Sequence, residues 1–247
     1  MKAISRTLIA TILGALMLAL TVSAETAEEI MKKSHMAYYY TGGDDGLAQV
    51  NMVLTDKKGK ERTREFTMLR IDIEEGGNQK YYTYFKKPSD VARMTFMVHK
   101  ATDGDDKRWI YVPAVDLIRP ISADDKNSSF VGSDFSYEDV SGRHWNEDNH
   151  ILVEESTLDE TPVFVIESTP KDDGYKGFAK KISYINAENF LPLKEEYFDD
   201  KNEMFRVFTA DRIEEMDGIT TVTLRRMVNL KKGSNTTVEF ADIDYNV

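Results

Sequence analysis

Eight clusters of turn-forming residues punctuate this chain: DKKGK at 56–60, EEGGN at 74–78, DGDD at 103–106, LDETP at 158–162, DDG at 172–174, DDKN at 199–202, MDG at 216–218 and KKGSN at 231–235. Between them lie short runs rich in Val, Ile, Thr, Tyr and Phe, residues that suit a pleated, half-buried surface. Gly, Asp and Asn supply the bends that join neighbouring strands, so the spacing predicts an antiparallel meander. Alternation agrees. Ala48, Val50, Met52 and Leu54 fall on one face with Gln49, Asn51 and Thr55 on the other, and Val222, Leu224, Arg226 and Val228 oppose Thr223, Arg225 and Asn229.

Ahead of the strands, Thr26-Ala27-Glu28-Glu29 has the form of a capping box, and Ala27, Ile30, Met31, Ser34 and Tyr38 follow at helical spacing. No second helix of useful length is legible. The sheet should hold roughly nine to eleven strands, and an open sheet of that size curls. One helix and the loops between residues 99 and 150 cannot fill its concave side, so an internal cavity is expected. The fold class is therefore mainly β with an N-terminal helix: a strongly curved antiparallel sheet closed by helix and loops over a hydrophobic cavity. With no repeat, low-complexity segment or linker, residues 25–247 form one expected domain.

The first 24 residues place Lys2 and Arg6 before an apolar run from Thr7 to Val22 that ends on Val22-Ser23-Ala24. This is the pattern of a cleavable secretory signal, and the run falls short of the ~20 apolar residues that span a bilayer. The chain has no cysteine, hence no lipobox, so a mature protein free in the periplasm is expected. Without cysteine an exported chain has no disulfide framework and must be stabilised by a core. The formal net charge of −11 becomes more negative once Lys2 and Arg6 are removed, which argues against nucleic acid as a partner.

The residues that carry chemistry form no constellation. His35, His99, His144 and His150 lack zinc-ligand spacing, and His144 and His150 are expected as solvated loop residues, so no metal site is assigned. Gly132-Ser133-Asp134 lacks the second glycine of a nucleophile elbow. No Gly-rich phosphate loop or calcium loop is present. No catalytic residue and no cofactor are expected.

What remains is apolar and aromatic: Met94 and Phe96 in RMTFMVHK, Trp109 and Tyr111 in KRWIYVPA, and Phe130, Phe135 and Tyr137 in SSFVGSDFSYED. These seven are the candidates to line a cavity or its mouth, although core packing is the commoner fate of such side chains. For 128–139 two arrangements stay open. The aromatics close as a lid over a cavity mouth, or Asp134 and Glu138 cap a short helical turn beneath a buried Phe135 as a structural clasp.

Trp109-Ile110-Tyr111-Val112-Pro113-Ala114, Arg119-Pro120-Ile121-Ser122 and Ser129 to Asp139 together resemble the paired W-x-Y-x-P-A and F-x-G-x-D-F-x-Y-E-D signatures of the LolA-like family of outer membrane lipoprotein-sorting proteins. Pro88-Ser89-Asp90 and Leu191-Pro192-Leu193-Lys194 fall where that family carries further motifs, and Asn202 stands where its acidic turn usually has a glycine. The resemblance implies a curved half-barrel with a hydrophobic cavity for acyl chains, resident in the periplasm. It implies a carrier that takes acyl chains of lipoproteins or lipids and hands them to or from a membrane partner, with transient membrane contact. The alternative is a non-transferring adaptor of an RND exporter of the MMPL kind. A lipid-acting enzyme is the third reading.

Overall fold

The computed structural model describes residues 25–247; the export signal expected at 1–24 lies outside the described residues. Thr26 caps helix α1 (Ala27–Tyr39) through both bonds of the expected capping box. Ile30 and Met31 on its buried face pack with Ile166 and Ile185, flanked by Phe164, Phe190 and Trp145. Among the described residues no helix is long and apolar enough to cross a membrane.

Two meanders make up the sheet. The first runs β1 (Asp45–Thr55), β2 (Glu61–Asp72), β3 (Gln79–Lys87), β4 (Thr95–Lys100), β5 (Lys107–Val112) and β6 (Leu117–Ile121). The second runs β7 (Asp148–Leu158), β8 (Thr161–Pro170), β9 (Lys180–Asn186), β10 (Pro192–Phe198), β11 (Met204–Met216), β12 (Ile219–Asn229) and β13 (Ser234–Tyr245). Antiparallel pairing of β1 with β13 joins them into one curved, unclosed sheet of 13 strands whose edges are β6 and β7.

All eight turn clusters join consecutive strands, yet the strand count exceeds the nine to eleven expected. The additional bends turn on residues other than glycine: Arg93 at φ 68° before β4, Asp116 at φ 47° before β6 and Phe190 at φ 60° before β10. Left-handed backbone on such residues leaves no glycine to mark the turn. Asn202 adopts φ 59°, a conformation that asparagine tolerates better than most residues, so the glycine usual at that position is not required.

In β1 the buried residues are Ala48, Val50, Met52 and Leu54, as the alternation implies. In β12 the implied face holds at Val222 and fails beyond it. Register irregularities between Ala210 and Ile213 where β11 pairs with β12 break the two-residue period. Past that bulge Arg225 and Met227 stand in register with Val238 and Thr236 of the buried face of β13, while Leu224, Arg226 and Val228 turn outward.

The polypeptide that links edge strand β6 to edge strand β7 crosses the concave side. It contains one short helix, α2 (Tyr137–Ser141), and places Phe130, Phe135 and Tyr137 in the main hydrophobic core with Val50, Met52, Phe66, Phe85 and Phe96. Residues 122–147 thus act as a plug between the two edges of the sheet.

Candidate functional site

The plug is aromatic where it meets the first meander. The Phe130 ring lies 5.3 Å from Phe96, 5.8 Å from Phe85 and Tyr137, and 6.4 Å from Phe66, in tilted and edge-on arrangements that aromatic pairs favour. Behind it the chain doubles back through Val131 at φ 47° and Gly132 at φ 83°. The glycine adopts this backbone freely, whereas a β-branched residue there is strained by about 1–3 kcal/mol. The plug is therefore held down by its surroundings.

Those surroundings are polar on the second meander. The Asp134 carboxylate accepts from Ser234 Oγ at 2.6 Å and Thr236 Oγ1 at 3.0 Å, and the Asp134 N–H donates to the same Thr236 hydroxyl. Ser136 and Asp139 form the capping box of α2, and Asp139 pairs with Arg206 at 2.8 Å. Glu138 is 5% exposed and meets Lys126 at 2.9 Å, Arg143 at 3.6 Å and the Tyr175 hydroxyl. Burial alone would raise its pKa, but Lys126, Arg143 and Tyr175 outweigh burial and hold the carboxyl below its ordinary range. The caps of the helical turn are thus Ser136 and Asp139, while Asp134 and Glu138 fasten the plug to its neighbours.

The seven candidate residues separate by face. Phe96, Phe130, Phe135 and Tyr137 lie on the concave side within the core, and Met94 packs against it half-buried. Trp109 and Tyr111 point the other way, because Arg108 and Ile110 are the inward positions of β5. Trp109 packs edge-on to His99 at 5.1 Å, and the Tyr111 hydroxyl donates to Asp116 at 3.0 Å. Of the seven, Phe130 and Phe135 border interior cavities. His144 and His150 are half-buried and not simply solvated loop residues: His150 bonds Ser168 Oγ at 2.9 Å and the Trp145 carbonyl at 2.7 Å, and His144 packs on His35. Among the described residues no three His, Cys, Asp or Glu side chains gather as metal ligands would.

A mainly apolar cavity of about 140 Å³ opens beneath the last turn of α1 and is walled by Tyr38, Ala48, Met68, Phe240, Ile243 and Arg225. A cavity of ~150 Å³ accommodates a benzene-sized molecule, so this one admits a few carbons and not a long chain. A larger cleft of about 600 Å³ beside the plug is lined mainly by polar groups of residues 127–136, 173–179 and the turns at 199–206 and 229–232. Tyr38, Met68 and Arg225 were not among the sequence candidates. The bulge that turns Arg225 inward leaves no mark in the alternation of β12.

A family model described only as an uncharacterized protein matches residues 77–247. No curated protein matches the chain. A DUF1329 family protein from Desulfovibrio piger has the same fold, with a TM-score of 0.82 and 25% identity over 91% of this chain and 95% of that one. An outer membrane lipoprotein-sorting protein domain from Vibrio parahaemolyticus superposes with a TM-score of 0.82 and 26% identity, over 90% and 92% of the two chains. A LolA superfamily protein from Nitrosomonas europaea shares the fold at a TM-score of 0.70 and 17% identity, over 91% and 95%.

Proposed function

The chain belongs to the family whose model spans residues 77–247, and we propose that it is a periplasmic carrier, exported by residues 1–24, in which residues 25–247 form one unit for binding acyl chains of lipoproteins or lipids. The observation that carries this reading is the plug. Where α1 leaves the concave face open, residues 122–147 cover it, with aromatic rings in the groove and polar side chains fastened by ion pairs and hydrogen bonds. An acyl chain takes the place of the Phe130, Phe135 and Tyr137 side chains when that segment withdraws, and the cavity under α1 is where the groove is already open.

Burial of methylenes at about 0.8 kcal/mol each drives loading, and release requires a membrane or partner that offers equal burial. No nucleotide or cofactor enters that cycle. Against an enzymatic reading stands the one serine that hydrogen-bonds a histidine among the described residues: Ser168 beside His150 is wholly buried, beyond the reach of a substrate.

The test is uptake of a fluorescent fatty acyl probe by delipidated protein. Burying a ~14-carbon chain is worth on the order of 10 kcal/mol before ordering costs, so micromolar or tighter binding is expected. Folded protein that takes up none at tens of micromolar contradicts the carrier reading. A non-transferring adaptor of an RND exporter then takes its place. That alternative draws support from the outer face of β2 and β3, where Leu69, Tyr82 and Tyr84 are 37%, 41% and 37% exposed, and its mark is copurification with the exporter.

A further inference from the structure

Arg225 lines three cavities: one of 140 Å³ under α1, a second of about 80 Å³ toward β10 and β11, and a third of about 20 Å³ beneath Phe130. Its Nη1 donates to the Tyr38 hydroxyl at 2.8 Å, while its buried Nε–H has no partner. The guanidinium lies 4.6 Å from the centre of the Phe240 ring and 5.6 Å from that of Phe135. No carboxylate pairs with it among the described residues.

The other charged groups around this interior are matched. Arg70 pairs with Asp72 at 3.4 Å and donates to the carbonyls of Tyr39, Thr41 and Gly43. Arg206 has Asp139, Lys181 has Glu195, and Arg143 has Asp148, at 2.8, 2.7 and 2.9 Å. Arg108 has Asp106. Lys100, which has no carboxylate, donates to two carbonyls, those of Ser141 and Gly142. Arg225 is left with one hydroxyl and the rings of Phe240, Phe135 and Tyr38. Cation–π contacts offset part of the cost of a desolvated guanidinium, but an interior cation ordinarily has an anion.

We propose that the missing anion arrives with the ligand: Arg225 is the binding site for the carboxylate of a fatty acid, whose first methylenes lie against Ala48, Met68, Phe240 and Ile243. This inference rests on the carrier reading and narrows its cargo to amphiphiles with an anionic head. Guanidinium and carboxylate match as a two-pronged pair, and the small cavity under α1 fits the head-proximal part of the chain.

The test compares anthroyloxy-labelled palmitic acid with its methyl ester on delipidated full-length mature protein. The acid should bind about tenfold or more tightly than the ester, as expected when a charge-assisted hydrogen bond is gained. Arg225→Met should abolish that preference by weakening the acid's binding to about the ester's level, and Arg225→Lys should retain part of it. Unlabelled palmitate should displace the acid, whereas acetate at equal concentration should not. Equal affinity of the wild-type protein for acid and ester overturns this inference and leaves the carrier reading standing, and that comparison needs no variant to fold. A preference that persists in Arg225→Met, or acetate that competes as well as palmitate, also overturns it. Failure of both acid and ester to bind removes the inference together with the carrier reading.

Discussion

Asp134 holds Ser234 at 2.6 Å and Thr236 at 3.0 Å, joining the plug to β13 across about 100 residues of sequence. The Thr236 side chain is wholly buried, so its hydroxyl depends on this carboxylate. The bond lies between Phe130 and Tyr137 in sequence, on the side of the plug that meets the second meander.

Replacing Asp134 by Ala should therefore loosen the plug without emptying the core. Hydrogen bonds to a charged group contribute about 1.5–3 kcal/mol each, so a stability loss of ~2 kcal/mol is expected in calorimetry. Acyl probe uptake should become faster and tighter in the same variant. A less stable protein with unchanged uptake would separate the clasp from binding.

Phe130 and Trp109 should respond oppositely to the same change. Phe130 is 3% exposed among aromatic neighbours, so Phe130→Asp buries an unpaired charge and should cost several kcal/mol. Trp109 is half-buried on the outer face, and Trp109→Asp should leave both the melt and the acyl uptake close to wild type. Circular dichroism melts of the two variants beside a binding titration decide the matter.

Acid should weaken the contacts of α1 with residues 144–150 before it breaks the ion pairs that hold the plug. His35 is 6% exposed, and burial, reinforced by Lys100 and His144, pushes its pKa well below 6.5. It is neutral in the fold and takes up a proton on unfolding, so its contribution is complete above the unfolded pKa and is lost as the pH falls below it. Burial lowers His144 and His150 as well. Glu138 and Glu195 are held below 4.5 by their cation partners, which overcome burial. Their contributions have the same sign but fade only in a lower window. Melting temperature should thus drop between about pH 7 and pH 5.5, and His35→Gln should flatten that slope. An unchanged slope would place the titration elsewhere.

The curved sheet, its greasy β1 face and the capped first helix were legible because hairpin turns and Thr26-Ala27-Glu28-Glu29 carry local chemistry. The seven aromatic and methionine candidates were legible as apolar, but their faces were not. Trp109 sits one position out of phase with Ile110, and nothing local tells which of the two points inward. Arg225 was hidden for a related reason, since a bulge between β11 and β12 resets the period only through pairing with a distant strand. The plug was the hardest to read. Whether Phe130 covers a cavity or fills it depends on contacts with Phe66, Phe85 and Phe96, which lie 34 to 64 residues away.

That acyl chains enter only when the plug withdraws is tested most directly by locking it. The chain has no cysteine, so Asp134→Cys with Ser234→Cys creates a unique pair at two side chains that now touch. Fluorescent palmitate uptake is measured on the delipidated double variant, oxidised and then reduced. The reduced protein should bind at least as well as wild type, and the oxidised protein should bind little or none, with uptake restored by reductant. Equal uptake by the locked and unlocked forms would contradict a binding site beneath the plug.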